Sequence, residues 1–524
     1  MVGGAVAIDR AASIVGGLAV LAVLVLLIAP VAALWGSAGS QPWLSPGDAA
    51  ALRFTVFQAL ASATLSILLA VPFARALMRR RFRGRRAIIT LLGAPFLLPV
   101  IVAILGLLAV WGRSGIISDL SLAMGGARLS IYGWSGVILA HVFFNMPLVT
   151  RLLVQGWQAV PAERFRLAAQ LGMSPAAVFR VIEWPMLRST LPGAFLLVFL
   201  LCLTSFAVAL ALGGGPRATT LEVAIYQALR FDFDLAHAAR LSLIQLILGG
   251  VVVVAALVIS RPTAFGRGLG RIATRWDAPR VWLWDAAIIA IMVLFLATPL
   301  GFVLLRGALG LMAGGTPGLW TAALTSLILA LVSACLTGGL ALAFAGLVGQ
   351  LARRRAIAVE GVGLIMLATS PFVIGTGLFI LIRPIADPFA WALVLTCAIN
   401  VAMSLPFALR ILVPALVEVR QNFGALGDSL GMTGWGRFRW MIWPQIRGQM
   451  GFAMGLAAAL SMGDLGVITL FAPPDVATLP LHMYRLMGAY RMVEAAGAAL
   501  ILLCLSLLVF WIFSGRGVRD AHHV

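Results

Sequence analysis

Residues 162–188 read AERFRLAAQLGMSPAAVFRVIEWPMLR, and residues 423–447 read FGALGDSLGMTGWGRFRWMIWPQIR. Both contain Leu-Gly-Met, as Leu171-Gly172-Met173 and Leu430-Gly431-Met432. Thirteen residues beyond each glycine stands the proline of a Trp-Pro pair, Pro185 and Pro444. The glycines are 259 residues apart, and so are the prolines. Each copy is polar, carries arginine and lies between two long apolar runs. The glycine can take backbone angles closed to other residues and so join two short helices at a sharp bend. The proline, which has no N–H to donate, ends the second short helix or opens the next span. Ser174-Pro175 has the form of a helix cap followed by proline at the first helical position. These are the parts of a rigid knob, and a knob repeated inside an apolar chain needs something soluble to touch.

The surrounding chain is far too apolar for a soluble domain. Of 524 residues, 62% are hydrophobic and 11% charged, with a mean hydropathy of +1.06. Runs of about 20 apolar residues, enough to cross a bilayer, recur throughout. They do not alternate as the strands of a membrane barrel do. The expected class is therefore an all-α polytopic membrane protein. The net charge of +20 comes entirely from arginine, because there is no lysine. That excludes a Walker A loop, whose lysine binds the phosphates, so any ATP hydrolysis belongs to another chain. The arginines cluster in short loops between apolar runs, a pattern of membrane orientation that argues against nucleic-acid binding. Cys202, Cys335, Cys397 and Cys504 all lie in apolar runs without metal-ligand spacing. No paired carboxylates, His-x-x-x-His or nucleophile elbow is present, so the expectation is no enzyme, no metal and no cofactor held by this chain.

Twelve spans are expected. The first is the run at 13–35, which is too long for a cleaved signal. Others lie near 55–77, 87–111, 131–153, 190–212 and 238–260, and a second six near 282–305, 320–346, 357–382, 388–412, 449–471 and 494–513. Arg79, Arg80, Arg81, Arg83, Arg85 and Arg86 follow the second span, and Arg353, Arg354 and Arg355 follow the eighth. Retaining these on the cytoplasmic side places both termini and both Leu-Gly-Met loops there. Asp119, Glu222, Asp232, Asp234, Asp387 and Asp475 then fall outside. Pro147 and Pro406, and Arg151 and Arg410, repeat the 259-residue spacing, while Tyr226 and Tyr484 are 258 apart. The chain thus divides into halves 1–265, with loop 162–188, and 266–524, with loop 421–447. Six spans return the chain to its starting side, so the repeat is parallel. The Gly/Arg-rich segment 261–280 reads as a fusion linker.

The loop pattern resembles the cytoplasmic motif of ABC importer permeases: EAA, three residues, Gly, nine residues, Ile, two residues, Pro. Gly172, Ile182 and Pro185 match its spacing, as do Gly431 and Pro444, with Met441 in the isoleucine position. The motif's glutamate is missing: Arg166 and Ala425 stand six residues before the glycines. ALGGGPRATTLEVAIYQAL at 211–229 and RVIEWPMLR at 180–188 are similar to the fused thiamine permeases. The resemblance implies a type I importer permease in the bacterial inner membrane. It also implies two copies of a cytoplasmic ATPase that uses ATP and magnesium, and a periplasmic thiamine-binding protein. A ferric-iron permease is the alternative within that family, and a major-facilitator transporter the alternative outside it.

Asp464 lies inside the eleventh expected span, and few other carboxylates are expected within spans. A charge there costs about 2.5–3.5 kcal/mol on insertion scales and marks a candidate pathway residue, the alternative being a structural acid held by a hydroxyl or by backbone amides of a neighbouring helix. Its counterpart is Ser205. His141 and Asn400 are likewise equivalent, and Asn145 lies one turn beyond His141. For these three, hydrogen bonding between helices is the simpler role and a place on the substrate path the other. Gly213-Gly214-Gly215-Pro216 is expected to end a helix, and Glu222, Asp232 and Asp234 beyond it to face the binding protein.

Overall fold

The structure, a computed structural model, describes residues 10–93, 98–215, 218–259, 282–312, 314 and 316–518. The expected linker at 261–280 lies outside them. Every regular element among the described residues is helical. The first series is α1 (Arg10–Ser37), α2 (Pro46–Arg79), α3 (Arg85–Leu91), α4 (Val100–Trp111), α5 (Ile116–Ala123) and α6 (Trp134–Ala159). It continues with α7 (Ala162–Gln170), α8 (Pro175–Val178), α9 (Trp184–Leu203), α10 (Phe206–Leu212), α11 (Leu221–Arg230) and α12 (Leu235–Ile259). The second begins with α13 (Trp282–Met312), α14 (Leu319–Val348), α15 (Arg353–Ile365), α16 (Pro371–Ile382) and α17 (Ala392–Ser429). It ends with α18 (Gly434–Arg437), α19 (Trp443–Met462), α20 (Gly466–Phe471), α21 (Leu479–Gly488) and α22 (Met492–Val518).

Ten helices among the described residues are long and apolar enough to cross a membrane, or eleven if one bent pair counts as a single span. The sequence pattern predicts twelve. The expected span at 357–382 is that bent pair, turning by 93° between Ala368 and Pro371. Pro371 opens α16 and Ser370 caps it, accepting from the Phe372 N–H at 3.0 Å, so the chain starts a new helix there. The spans expected at 190–212 and 449–471 are also broken: α9 stops at Leu203 before α10, and α19 stops at Met462 before α20. The predicted helix end at the glycine run is present. α10 stops at Leu212, and Gly214 and Gly215 take φ +69° and +138°.

The helices form two compact units: Met1–Trp43 with Ile225–Leu246 and Leu309–Val524, and Leu44–Ala224 with Ile247–Ala308. This partition interleaves the sequence halves. In the first unit α1 packs on α14 and α16, and α17 and α22 pack on α19. In the second, α2 packs on α6 and α9, and α10 on α4 and α6. The first helix of each half therefore sits among helices of the other half. The contacts match. A Cβ on Gly377 of α16 would lie 2.5 Å from the Pro30 carbonyl oxygen of α1, and one on Gly106 of α4 would lie 2.6 Å from that of Pro299 in α13. Only glycine lets backbones approach so closely. A second matched pair holds α2 and α14. Thr55 Oγ1 accepts from the Leu221 N–H at 2.9 Å, and Ser326 Oγ accepts from the Leu479 N–H at 2.7 Å.

Ile14, Leu18, Leu21, Val25 and Ile28 make an exposed stripe along α1, while Ala19, Val23 and Leu34 are buried. A helix apolar on both faces, with its outward stripe at helical spacing, is solvated by lipid.

Candidate coupling loops and transport path

The two Leu-Gly-Met turns have the same geometry. Gly172 and Gly431 both take φ +63°, the left-handed region. The Gly172 N–H donates to the Ala169 carbonyl at 3.0 Å and the Met173 N–H to that of Ala168 at 3.0 Å. The Gly431 N–H donates to Asp428 at 3.1 Å and the Met432 N–H to Gly427 at 2.9 Å. This paired pattern satisfies the last carbonyls of the preceding helix and requires a residue free to turn left-handed. Ser174 then caps α8, its Oγ accepting from the Ala177 N–H at 3.3 Å, with Pro175 opening the helix. Both loops finish with one wide turn, at Phe179–Glu183 and Phe438–Ile442, leading into α9 and α19. Pro185 and Pro444 sit in the first turns of those helices and cannot donate back, which relaxes the ladder into π geometry.

The loops differ in how they are entered and braced. In the first, Pro161 breaks α6 from α7. The second has Arg420 at the equivalent position, and α17 runs unbroken to Ser429, so the expected short first helix is there the end of a 38-residue one. Glu183 is wholly buried in the wide turn and accepts from Arg75 Nε of α2 at 2.8 Å, while the guanidinium lies 4.7 Å from the Phe179 ring centre. The second loop has Ile442 at that position, and instead Arg437 Nη1 donates to Asp428 Oδ1 at 2.7 Å. Met441, in the isoleucine position, faces Gly427, where a Cβ would lie 2.8 Å from its sulfur. The first loop places buried Ile182 and Ala168 at those positions. A longer side chain is matched by a smaller neighbour. Leu171 and Leu430 at the tips are 68% and 66% exposed, and Trp435 and Trp440 are also exposed.

Asp464 and Ser205 occupy equivalent places, each beside the break before a short helix. Asp464 Oδ1 accepts from the Val467 N–H at 3.3 Å at the start of α20, whereas Oδ2 is buried without a hydrogen bond. Ser205 precedes α10 and makes no side-chain cap. His141, Asn145 and Asn400 lie in the contacts between helices. His141 Nδ1 is 3.4 Å from Ser62 Oγ, and Asn145 Nδ2 donates to Cys202 Sγ at 3.3 Å. Asn400 Nδ2 donates to Ser461 Oγ at 2.9 Å. Cys202 and Ser461 each stand three residues before the polar residue at the break, so these bonds hold each span just ahead of its interruption. Gln58 adds to this, donating to the Cys202 carbonyl at 2.9 Å, one of the acceptors freed by the helix end.

Two sequence expectations change. Asp464 is not nearly alone, because Asp285 of α13 is buried and accepts from Arg80 Nε at 2.8 Å, and Glu183 and Glu222 are fully buried. An acid inside a span takes up its charge with a partner the linear sequence does not reveal. Glu222 is therefore no surface acid for a binding protein. Asp234 caps α12, accepting from the His237 N–H at 2.9 Å, and of the three expected acids Asp232 is exposed beside it. Sequence reading passed over Arg75 and Glu183, although an acid beside an apolar run was itself the signal.

Helices of this length make the chain a polytopic helical membrane protein, and its two matched loops with left-handed glycines fit the motif that resembles ABC importer permeases. No family model matches the chain. The thiamine transport system permease protein ThiP of Brucella abortus (strain 2308) is 42% identical over 466 residues, 87% of this chain and 86% of that protein. The ThiP permease of Escherichia coli (strain K12) is 37% identical over 515 residues, 95% and 96% of the two chains. A shorter relative, the molybdenum transport system permease protein ModB of Mycobacterium bovis, is 33% identical over 218 residues, 41% of this chain and 78% of its own. The chain belongs to the thiamine transport system permease family.

Proposed function

We propose that this chain is the membrane subunit of an ATP-driven importer that carries thiamine across the bacterial inner membrane. The single observation behind the substrate is the near full-length similarity to thiamine permeases. In this reading the arginine-rich loops, both termini and both Leu-Gly-Met turns are cytoplasmic. Each turn docks on one of two copies of an ABC ATPase, which binds ATP and magnesium and performs the hydrolysis. Leu171, Gly172, Met173, Ile182 and Pro185 build one knob, and Leu430, Gly431, Met432, Met441 and Pro444 the other. The halves 1–265 and 266–524 are each a permease unit in this reading, and a relative that aligns over less than half of this chain and most of its own length fits a unit of that size. A periplasmic thiamine-binding protein delivers substrate to the outer side.

Asp464 is the candidate counter-charge for the thiazolium cation. One oxygen is spent on capping α20 and the other is free to attract without a deep well, as a path that must release its cargo requires. The test is purification of the chain with its ATPase, then uptake of labelled thiamine and ferric iron into proteoliposomes with the cognate binding protein. Thiamine uptake supports the reading; iron uptake without thiamine uptake replaces it. Asp464→Asn keeps the cap and removes the charge, and is expected to lower uptake while leaving the melting temperature within a few degrees. Normal uptake by that variant gives Asp464 a structural role alone.

A further inference from the structure

The loop that follows α20, residues 472–476, is gripped by two arginines, one from each sequence half. Arg230, at the end of α11, donates through Nη2 to the Ala472 carbonyl at 2.9 Å. Arg485, on α21, donates through Nη1 to the Pro474 carbonyl at 2.8 Å and through Nη2 to those of Pro473 and Val476 at 3.3 and 3.4 Å. α11 and α21 are the repeat-equivalent helices that carry Tyr226 and Tyr484. The corresponding loop of the first half is built differently. Gly214 and Gly215 turn at positive φ there, and the Leu212 carbonyl accepts from the Gly133 N–H at 2.7 Å.

Arg230 is tied to α20 by a second route. Its guanidinium lies 4.8 Å from the Phe389 ring centre, Phe389 meets Phe379 edge to face, and Phe379 stacks on Phe471 at the end of α20. Beside this aromatic row is a cavity of about 460 Å³ lined by residues that include Phe233, Leu235, Arg383 and Asp387. The row therefore has space to rearrange. α20 in turn begins on the Asp464 cap, so the clamped loop and the candidate counter-charge are opposite ends of one six-residue helix.

The clamp brings like charges together. Burial holds the Arg485 guanidinium below its ordinary pKa, and Arg230 pushes the same way, with Asp475 opposing them. Both guanidinium groups donate to loop carbonyls, at Ala472 and at Pro473, Pro474 and Val476. Carbonyl dipoles compensate such charges only while they stay aligned. Freed from the loop, the two cations repel, so the closed arrangement is held against a force that favours opening. Positive charge at a constriction also raises the barrier to any cation, including a cationic substrate.

We propose that Arg230 and Arg485 are the outer latch of the transport path, holding 472–476 closed until the binding protein docks and moving α20 with it on release. They are positioning residues, acting through the loop. The proposal rests on the functional reading above for which side is outer and what is carried.

The test uses the complete permease–ATPase complex in proteoliposomes preloaded with labelled thiamine or with tetramethylammonium, a cation whose leak does not depend on the substrate assignment. Without ATP or binding protein, Arg230→Gln/Arg485→Gln is expected to raise efflux of both about tenfold, since hydrogen bonds to charged groups are among the stronger ones. It is also expected to raise ATP hydrolysis in the absence of binding protein. Arg485→Lys, which keeps the charge and part of the donor set, should restore most of the seal. Efflux at the wild-type rate from an assembled double variant overturns the latch. So does a raised leak with no change in hydrolysis, since a merely loosened loop gives that result. If the double variant does not assemble, Arg485→Gln alone carries the same test, because Arg485 donates to the carbonyls of Pro473, Pro474 and Val476 in the loop itself. Wild-type complexes that take up no thiamine count against the substrate reading, and the tetramethylammonium leak still decides the latch.

Discussion

The two Leu-Gly-Met loops share one backbone and are stabilised in opposite ways. The first is pinned to α2 by a half-buried ion pair between Arg75 and the wide turn, where Glu183 has no exposure. The second is stiffened from within, by Arg437 reaching back to Asp428, whose side chain is 45% exposed. It also continues a long helix, whereas the first is set off from α6 by Pro161. A loop held to a neighbouring helix moves when that helix moves. One braced on itself moves as the end of its own span. On the proposed function, the ATPase would thus press on knobs of equal shape and unequal mounting.

The sharpest break in this comparison comes from Glu183→Ala. Removing Glu183 strands the Arg75 guanidinium, whose side chain keeps 25% exposure, so the cost falls at the low end of the range of about 3–5 kcal/mol for a fully buried pair. A large fall in the melting temperature of the purified complex is expected, with loss of ATPase stimulation by binding protein. Gly172→Val and Gly431→Val come next. A β-branched residue at φ +63° is strained by about 1–3 kcal/mol, and no atom lies within 4 Å of a Cβ at either site, so strain is the whole effect. The two variants should therefore cost the same and weaken ATPase association equally in a pull-down, with Asn tolerated at either place. A clear inequality would show that the turns do not bear equal load. Asp428→Ala is the smallest. An ion pair this exposed contributes about 0–1 kcal/mol, so the melting temperature should shift by no more than a few degrees while transport persists. A loss as large as that of Glu183→Ala would erase the distinction between the two mountings.

Gly172 and Gly431 show why parts of this protein were legible in its sequence. Leu-Gly-Met, Ser174-Pro175 and the Trp-Pro pairs specify local backbone events, and each event depends only on residues within a turn of it. Length and apolarity do the same for membrane spans, because a bilayer requires only that every backbone group be satisfied within the segment. The polar residues Asn145 and Asn400 were recognisable as bonding between helices, but Cys202 and Ser461 as their partners were not.

The sequence by itself determined an all-helical membrane chain, two matched turns with their glycines and prolines, and the family resemblance. Tertiary structure decided which helices share a compact unit, since Gly106 and Gly377 accept a proline-bearing helix from the other half only through contacts hundreds of residues apart in one case and nearly two hundred in the other. It decided too that Arg75 neutralises Glu183, that the spans ending at Leu203 and Met462 are interrupted, and that Arg230 and Arg485 meet on one loop. The physical reason is the same in each case. Turn geometry is set by steric limits along the chain, whereas a buried charge or a freed carbonyl takes whatever partner the packed helices bring within hydrogen-bonding distance.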